Sequence, residues 1–174
     1  MKSFRLLLLL PLFLAFGCGD EWLQVSFDYP FEGEISFREK LNADQVYSFD
    51  SEDIPLDLLR ELESRDLASV ASARLKSLRL TLPEASGLDW DFLRSAEVSL
   101  IAGGAEVSLA SLAEAPLGLR ELELSVRAEG VPLARLLEQE AAQVRVRLHT
   151  REALDADLEI LAEAVSEIKA SAFK

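Results

Sequence analysis

Asp89 and Asp91 flank Trp90 in a stretch rich in turn-forming residues. Two carboxylates beside an aromatic ring are the equipment of a sugar-hydrolysing site: one acid protonates the leaving oxygen, the other acts as base or nucleophile, and the indole stacks on the sugar. Such a pair works only at a fixed separation in space, which closeness in sequence does not supply. Trp90 with Phe92 suits equally well a plug at one end of a core. Asp50, Glu52, Asp53 and Asp57 form the densest run of acids. Calcium takes about six to eight oxygens, commonly from a flexible loop, and this run could furnish several of them for an adhesion module. The spacing is not that of an EF-hand and lacks its glycine, and acids also gather where a helix begins.

His149 shares one face of an alternating run with Arg145 and Arg147. A histidine acting as general base needs a nucleophile and an orienting acid beside it. No Gly-x-Ser-x-Gly elbow is present to offer one. The simpler expectation is a solvated residue at a strand end. The row Arg145, Arg147, Arg151 could meet an acidic partner or a polysaccharide, or else face acids across a sheet, with Glu121 and Glu123 the expected partners. One histidine and one cysteine in 174 residues leave no multi-histidine or cysteine zinc site and no internal disulfide. No phosphate-cradling glycine loop occurs either. The sequence therefore gives no catalytic residue and no cofactor.

The single cysteine stands in a telling place. Lys2 and Arg5 give a basic start, Leu6 to Phe16 is an apolar run, and Gly17-Cys18 follows at once. Eleven apolar residues are too few to span a bilayer, which needs roughly 20. A basic start, a short apolar segment and a small residue describe a secretory signal. With Cys18 behind Gly17, the segment resembles the signal of bacterial lipoproteins. Phe16, where that family has a small residue, and Ala15, where it commonly has leucine, depart from the pattern. The resemblance implies removal of residues 1–17, acylation of Cys18 and a short tether over 18–22. Two or more acyl chains hold a protein firmly to a membrane, where one is marginal. Gly19, rather than aspartate, follows the cysteine, which in such lipoproteins implies the outer membrane.

The elements that must position the other residues are strands. Ala-Glu-Val-Ser-Leu occurs at 96–100 and again at 105–109, either side of Gly103-Gly104. Apolar and polar residues alternate in each copy, and a glycine pair tolerates the positive φ of a tight hairpin. Leu23 to Tyr29 and Phe31 to Phe37 alternate with the same parity across Pro30, as one bent strand or two neighbours. Val46 to Phe49 is a short strand. Pro55 to Arg65 reads as a helix, with proline in its first turn and Leu58, Leu59 and Leu62 as its apolar stripe.

Val70 to Leu82 is a long strand whose parity changes near Ser77, the mark of a β-bulge. Ser86-Gly87 and Pro116 to Gly118 mark turns. Leu122 to Ala128 reads as one strand, Val131 to Glu140 as a second helix, and Val144 to Leu148 as a half-exposed strand. In the last stretch Leu158, Leu161, Val165 and Ile168 have helical spacing, while Leu158, Ile160, Ala162, Ala164, Ile168 and Ala170 share strand parity. The strands before it need a partner, which favours a strand.

About eight strands with two short connecting helices, over residues 23–174, predict a mainly β fold, an antiparallel β-sandwich. Lys76 to Leu80 and Phe92 to Val98 also loosely resemble segments of uncharacterised envelope lipoproteins, a likeness of core pattern that brings no activity with it. A formal net charge of -13 repels phosphate backbones and argues against nucleic acid as a partner. Loss of Lys2 and Arg5 with the signal makes the remainder two units more negative. The expected role is that of a non-enzymatic binding or structural module in the cell envelope, with the membrane and an envelope protein or glycan as partners. The alternatives are a glycan hydrolase using Asp89 and Asp91, and a calcium-stabilised adhesion module using Asp50 to Asp57.

Overall fold

The computed structural model describes residues 24–127 and 129–172. In chain order the first strands are β1 (Gln24–Phe37), β2 (Val46–Asp50), β3 (Ile54–Pro55), β4 (Ser69–Thr81), β5 (Leu93–Ala102) and β6 (Ala105–Leu112). They are followed by β7 (Glu121–Glu123), β8 (Ser125–Val126), β9 (Glu129–Gly130), β10 (Ala141–Thr150) and β11 (Leu158–Ser171). Helix α1 (Leu58–Ser64) precedes β4, and α2 (Val131–Leu137) precedes β10.

The strands form two antiparallel sheets. The first runs β1-β11-β4-β7, with β9 also on β4; the second runs β2-β10-β5-β6-β8, with β3 also on β10. Without the two-residue strands β3, β8 and β9, eight remain, and by rank in the chain they pair 1-8-3-6 and 2-7-4-5. That order is a jelly roll, two interleaved Greek keys closed over one core. The expected β-sandwich of about eight strands is the fold found.

The core lies between the sheets and is built by alternation. On β11 Leu158, Ile160, Ala162, Ala164, Ser166, Ile168 and Ala170 are buried. The last stretch is thus a strand, and β1 and β4 supply its partners on both sides. Residues 24–37 form one strand, not two. Pro30 fits because β1 is an edge, where a missing N–H leaves the ladder intact. On β4, Lys76 is the extra residue of a bulge, since Ser77 pairs with Val165 and Leu75 with Ser166. The bulge moves burial from Ala73 and Leu75 to Leu78 and Leu80.

The hairpin forms as the repeat predicts. Gly103 and Gly104 have φ of 55° and 78°, and Ala102 pairs with Ala105. A bulge at Leu109 lets Leu109 and its neighbour Ala110 both turn inward. The loop at 86–87 also forms, with Gly87 at φ 66° after a single 3-10 turn.

Three expectations need correction. Pro55 does not open a helix: Ile54 and Pro55 pair with Ala142 and Ala141, and α1 starts three residues later. Ile54 is half-buried and Leu56 buried, so the extended backbone seats two side chains that a helical turn would not. Leu59 is exposed, leaving Leu58 and Leu62 as the buried stripe, and the helix closes on Asp66 at φ 57° with Leu67 N–H donating to the Leu62 carbonyl. Second, Leu122 to Val126 is not one strand: β7 pairs with β4 in the first sheet and β8 with β6 in the second. Leu124 sits at the crossing and is buried. Third, α2 ends at Leu137, although Leu133, Leu136 and Leu137 are buried as the stripe requires. Residues 1–23, with Cys18 and the signal, and also Ala128, Phe173 and Lys174, lie outside the described residues.

Candidate functional site

Asp89, Trp90 and Asp91 lie in a turn that closes one end of the sandwich. Trp90 is fully buried, packs against Phe92 with ring centroids 5.8 Å apart, and donates from Nε1 to the Arg120 carbonyl at 2.9 Å. The Asp89 carboxylate accepts from Asp91 N–H, and that of Asp91 accepts from Gly118 N–H. Both carboxylates tie backbone down, and the indole face is covered. This is the plug, and it has no ring exposed for a sugar to stack on.

The arginine row is neutralised within its own sheet. Arg145 grips Asp50 with two nitrogens, at 2.6 and 2.8 Å, and reaches Glu106 at 2.9 Å. Arg147 meets Glu106 at 3.0 Å and Glu97 at 3.6 Å. The bidentate hydrogen bonds from Arg145 hold the Asp50 carboxyl below the usual carboxylate range, and the same contacts raise Arg145. Glu121 and Glu123, the partners expected from sequence, pair instead with Arg79 in the other sheet. Alternation shows that a residue faces out but not which strand lies beside it. Arg151 leaves the row and donates to the Ala115 carbonyl. His149 is half-buried between Val46 and Ser95, its register partners on β2 and β5.

The acids of 50–57 line a broad groove of about 1140 Å³ together with residues of β1 and β11. Asp28, Glu32 and Glu34 come from β1, Asp50, Glu52, Asp53 and Asp57 from the segment around β3, Glu61 from α1 and Glu163 from β11. No lysine, arginine or histidine among the described residues lines it. Some of these acids have cations elsewhere: Asp28 has Lys76, Asp57 has Arg60 and Glu61 has Arg65. Glu32, Glu34, Glu52, Asp53 and Glu163 have none at ion-pair distance among the described residues, and Arg79, the register partner of Glu163 on β4, is turned to Glu121 and Glu123. The acids do not converge; among the described residues no three histidine, cysteine, aspartate or glutamate side chains are grouped to hold a metal ion. The calcium expectation for Asp50 to Asp57 therefore finds no cage, because Asp50 is turned to Arg145.

Tyr29 forms part of the wall of this groove. Burial pushes its phenol up, against an opposing pull from the backbone at Asp57 and Leu58, where α1 begins. On the inner side Phe37 stacks on Phe49 at 3.7 Å between centroids, and Tyr47 continues the row at 6.1 Å from Phe49. Gly33 lies so close to β10 that a Cβ there would stand 3.0 Å from Val144 Cγ2. These contacts fix the edge of the first sheet against the second.

The two ends of the molecule differ. Gln24 of β1 pairs with Ser171 at one end of the first sheet. At the other end Phe37 pairs with Leu158, Thr81 with Glu121, and the turn around Gly118 (φ 70°) carries Leu117 and Leu119, both exposed. Sequence reading marked that turn but not its exposed leucines. No helix among the described residues is long and apolar enough to cross a membrane.

No protein-family model matches the chain, and no curated protein matches it. Among solved structures it is similar to the decameric BFDV capsid protein, at 9% identity over 83% of this chain and 99% of that one, with a TM-score of 0.33. A chain of turnip yellow mosaic virus matches at 11% identity, covering 86% and 97%, with a TM-score of 0.30. A structure of carbohydrate-binding modules from the β-sandwich superfamily matches at 7% identity, covering 80% and 54%, with a TM-score of 0.31.

Proposed function

We propose that this chain is a lipid-anchored protein of the bacterial cell envelope, acylated at Cys18 in the outer membrane. Its β-sandwich acts as a non-enzymatic binding or structural module. The observation that carries the reading is the succession of a basic start, an apolar run from Leu6 to Phe16, and Gly17-Cys18. The fold is compatible with a tether: Gln24 enters the first sheet at one end, and the loop bearing Leu117 and Leu119 stands at the opposite end, open to partners. The carboxylates that suggested hydrolysis hold turns, which leaves binding as the better-supported role.

The test is the mass of the membrane-extracted protein beside that of a Cys18→Ser form. The expected result is an acylated chain beginning at Cys18, with that mass absent from the variant. An unmodified chain beginning elsewhere would overturn the anchoring.

A further inference from the structure

We propose that β1 is a docking edge, whose Phe31–Phe37 half takes up an extended, lysine- or arginine-bearing segment of another polypeptide as an added strand of the first sheet. β1 is 14 residues long and pairs with β11 along its whole length, while no described strand pairs with its other side. The edge strands β2, β7, β8 and β9 have five residues or fewer, the common way of blunting an edge. Pro30 keeps an unbroken register with Val165. That placement suits an edge when the missing N–H would have pointed away from the sheet. By alternation the N–H and C=O of Glu32, Glu34 and Ser36 then point outward as well. The half-strand is held firm from behind, with Phe31, Ile35 and Phe37 buried.

Charge selects the occupant. Glu32 stands directly opposite Glu163, a like-charge pair with no cation at ion-pair distance among the described residues. A second copy of β1 laid against the first would add more acids to that face, so self-pairing is disfavoured. A strand with a cation at every second position would place them beside Glu32 and Glu34. Glu52 and Asp53, on the far wall of the groove, face the same strand. In strand addition the main chain supplies affinity and alternate side chains supply specificity. This deepens the binding half of the function proposed above and does not depend on acylation of Cys18.

The experiment titrates the full chain in detergent with a synthetic peptide of about eight residues alternating lysine and valine. Controls are its glutamate counterpart and a peptide of equal positive charge with proline at alternate positions, which cannot pair as a strand. Amide NMR is the readout. Strand addition shifts the amides of Phe31–Phe37 and slows hydrogen exchange at Glu32, Glu34 and Ser36 for the lysine–valine peptide alone. Glu32→Gln with Glu34→Gln weakens binding about threefold, and Glu32→Lys with Glu34→Lys about tenfold. Equal binding of the proline peptide, shifts centred on another element, or no binding at millimolar peptide would each overturn the proposal. Unchanged affinity in the charge-reversed variant, folded by circular dichroism, would do so too. The Cys18 mass result stands or falls separately.

Discussion

The outer face of the second sheet and the β1 edge of the first treat charge in opposite ways. Around Arg145 and Arg147, three acids from three other strands, Asp50, Glu106 and Glu97, converge on two guanidinium groups. Along β1, Glu32 meets Glu163 across the ladder, and Glu34, Glu52 and Asp53 have no cation among the described residues. Both regions sit on the same core, so core packing does not require the difference. A face that answers its own charges is finished, whereas one that leaves like charges in register gives up a little stability and retains attraction for something basic. Asp28, at the other end of β1, shows that a cation was within reach of this sheet: Lys76 spans from β4 to meet it at 2.8 Å.

The contrast can be broken where the two regions touch. Gly33→Leu forces a side chain into Val144, and overpacking of this kind should cost about 1–3 kcal/mol in urea unfolding. An unchanged midpoint would mean that the sheets are not pressed together at that point. Glu106→Gln removes the acid shared by Arg145 and Arg147. The loss should be roughly 0.5–1 kcal/mol at low salt, shrinking as salt is raised, because the pairs are only partly shielded from water.

On the β1 side the sign reverses. Glu32→Lys converts the clash with Glu163 into an attractive cross-strand pair and should stabilise the fold by about 0.2–1 kcal/mol. Destabilisation by that change would show that Glu32 is already satisfied. The smallest effect is visible only against pH. Asp50 has a lowered pKa in the folded state, so its contribution is fully present above the unfolded carboxylate value and is lost as pH falls through the lowered folded one. Asp50→Asn should therefore be less stable than the parent at neutral pH, with the gap closing in the acid range. A gap that persists at low pH would remove the ion pair as its cause.

Local pattern made much of this architecture legible in the sequence. The two Ala-Glu-Val-Ser-Leu copies around Gly103-Gly104 announce a hairpin because turn chemistry and alternation agree within eighteen residues, Ser95 to Leu112. The parity change near Ser77 announces the bulge for the same reason. The break at Leu124 was not legible: both sheets bury toward one core, so a chain that passes from one to the other keeps its alternation. Nor could Pro55 be told from a helix start, since proline suits either a first turn or a bridge at a sheet margin. At the candidate site the acids of 50–57 stood out at once. Their disposition depended on β10, where Arg145, 95 residues further along the chain, takes Asp50 out of the run, and spacing along the chain does not reach that far. That β1 is an edge follows from sheet order alone.

The pairing of β1 with β11 also sets the order in which the molecule can be completed. Residues 24–37 find their partner in 158–171, so the first strand waits, without its ladder partner, until residues 158–171 have been made. Loop closure over that distance is slow, and sheets dominated by such distant pairings fold in roughly milliseconds to seconds. Through that interval the acids of β1 repel its counterparts on neighbouring chains, as Pro30 interrupts any ladder they might begin. The residues that leave the mature edge open to a basic strand thus also serve the nascent chain, as protection against its own kind.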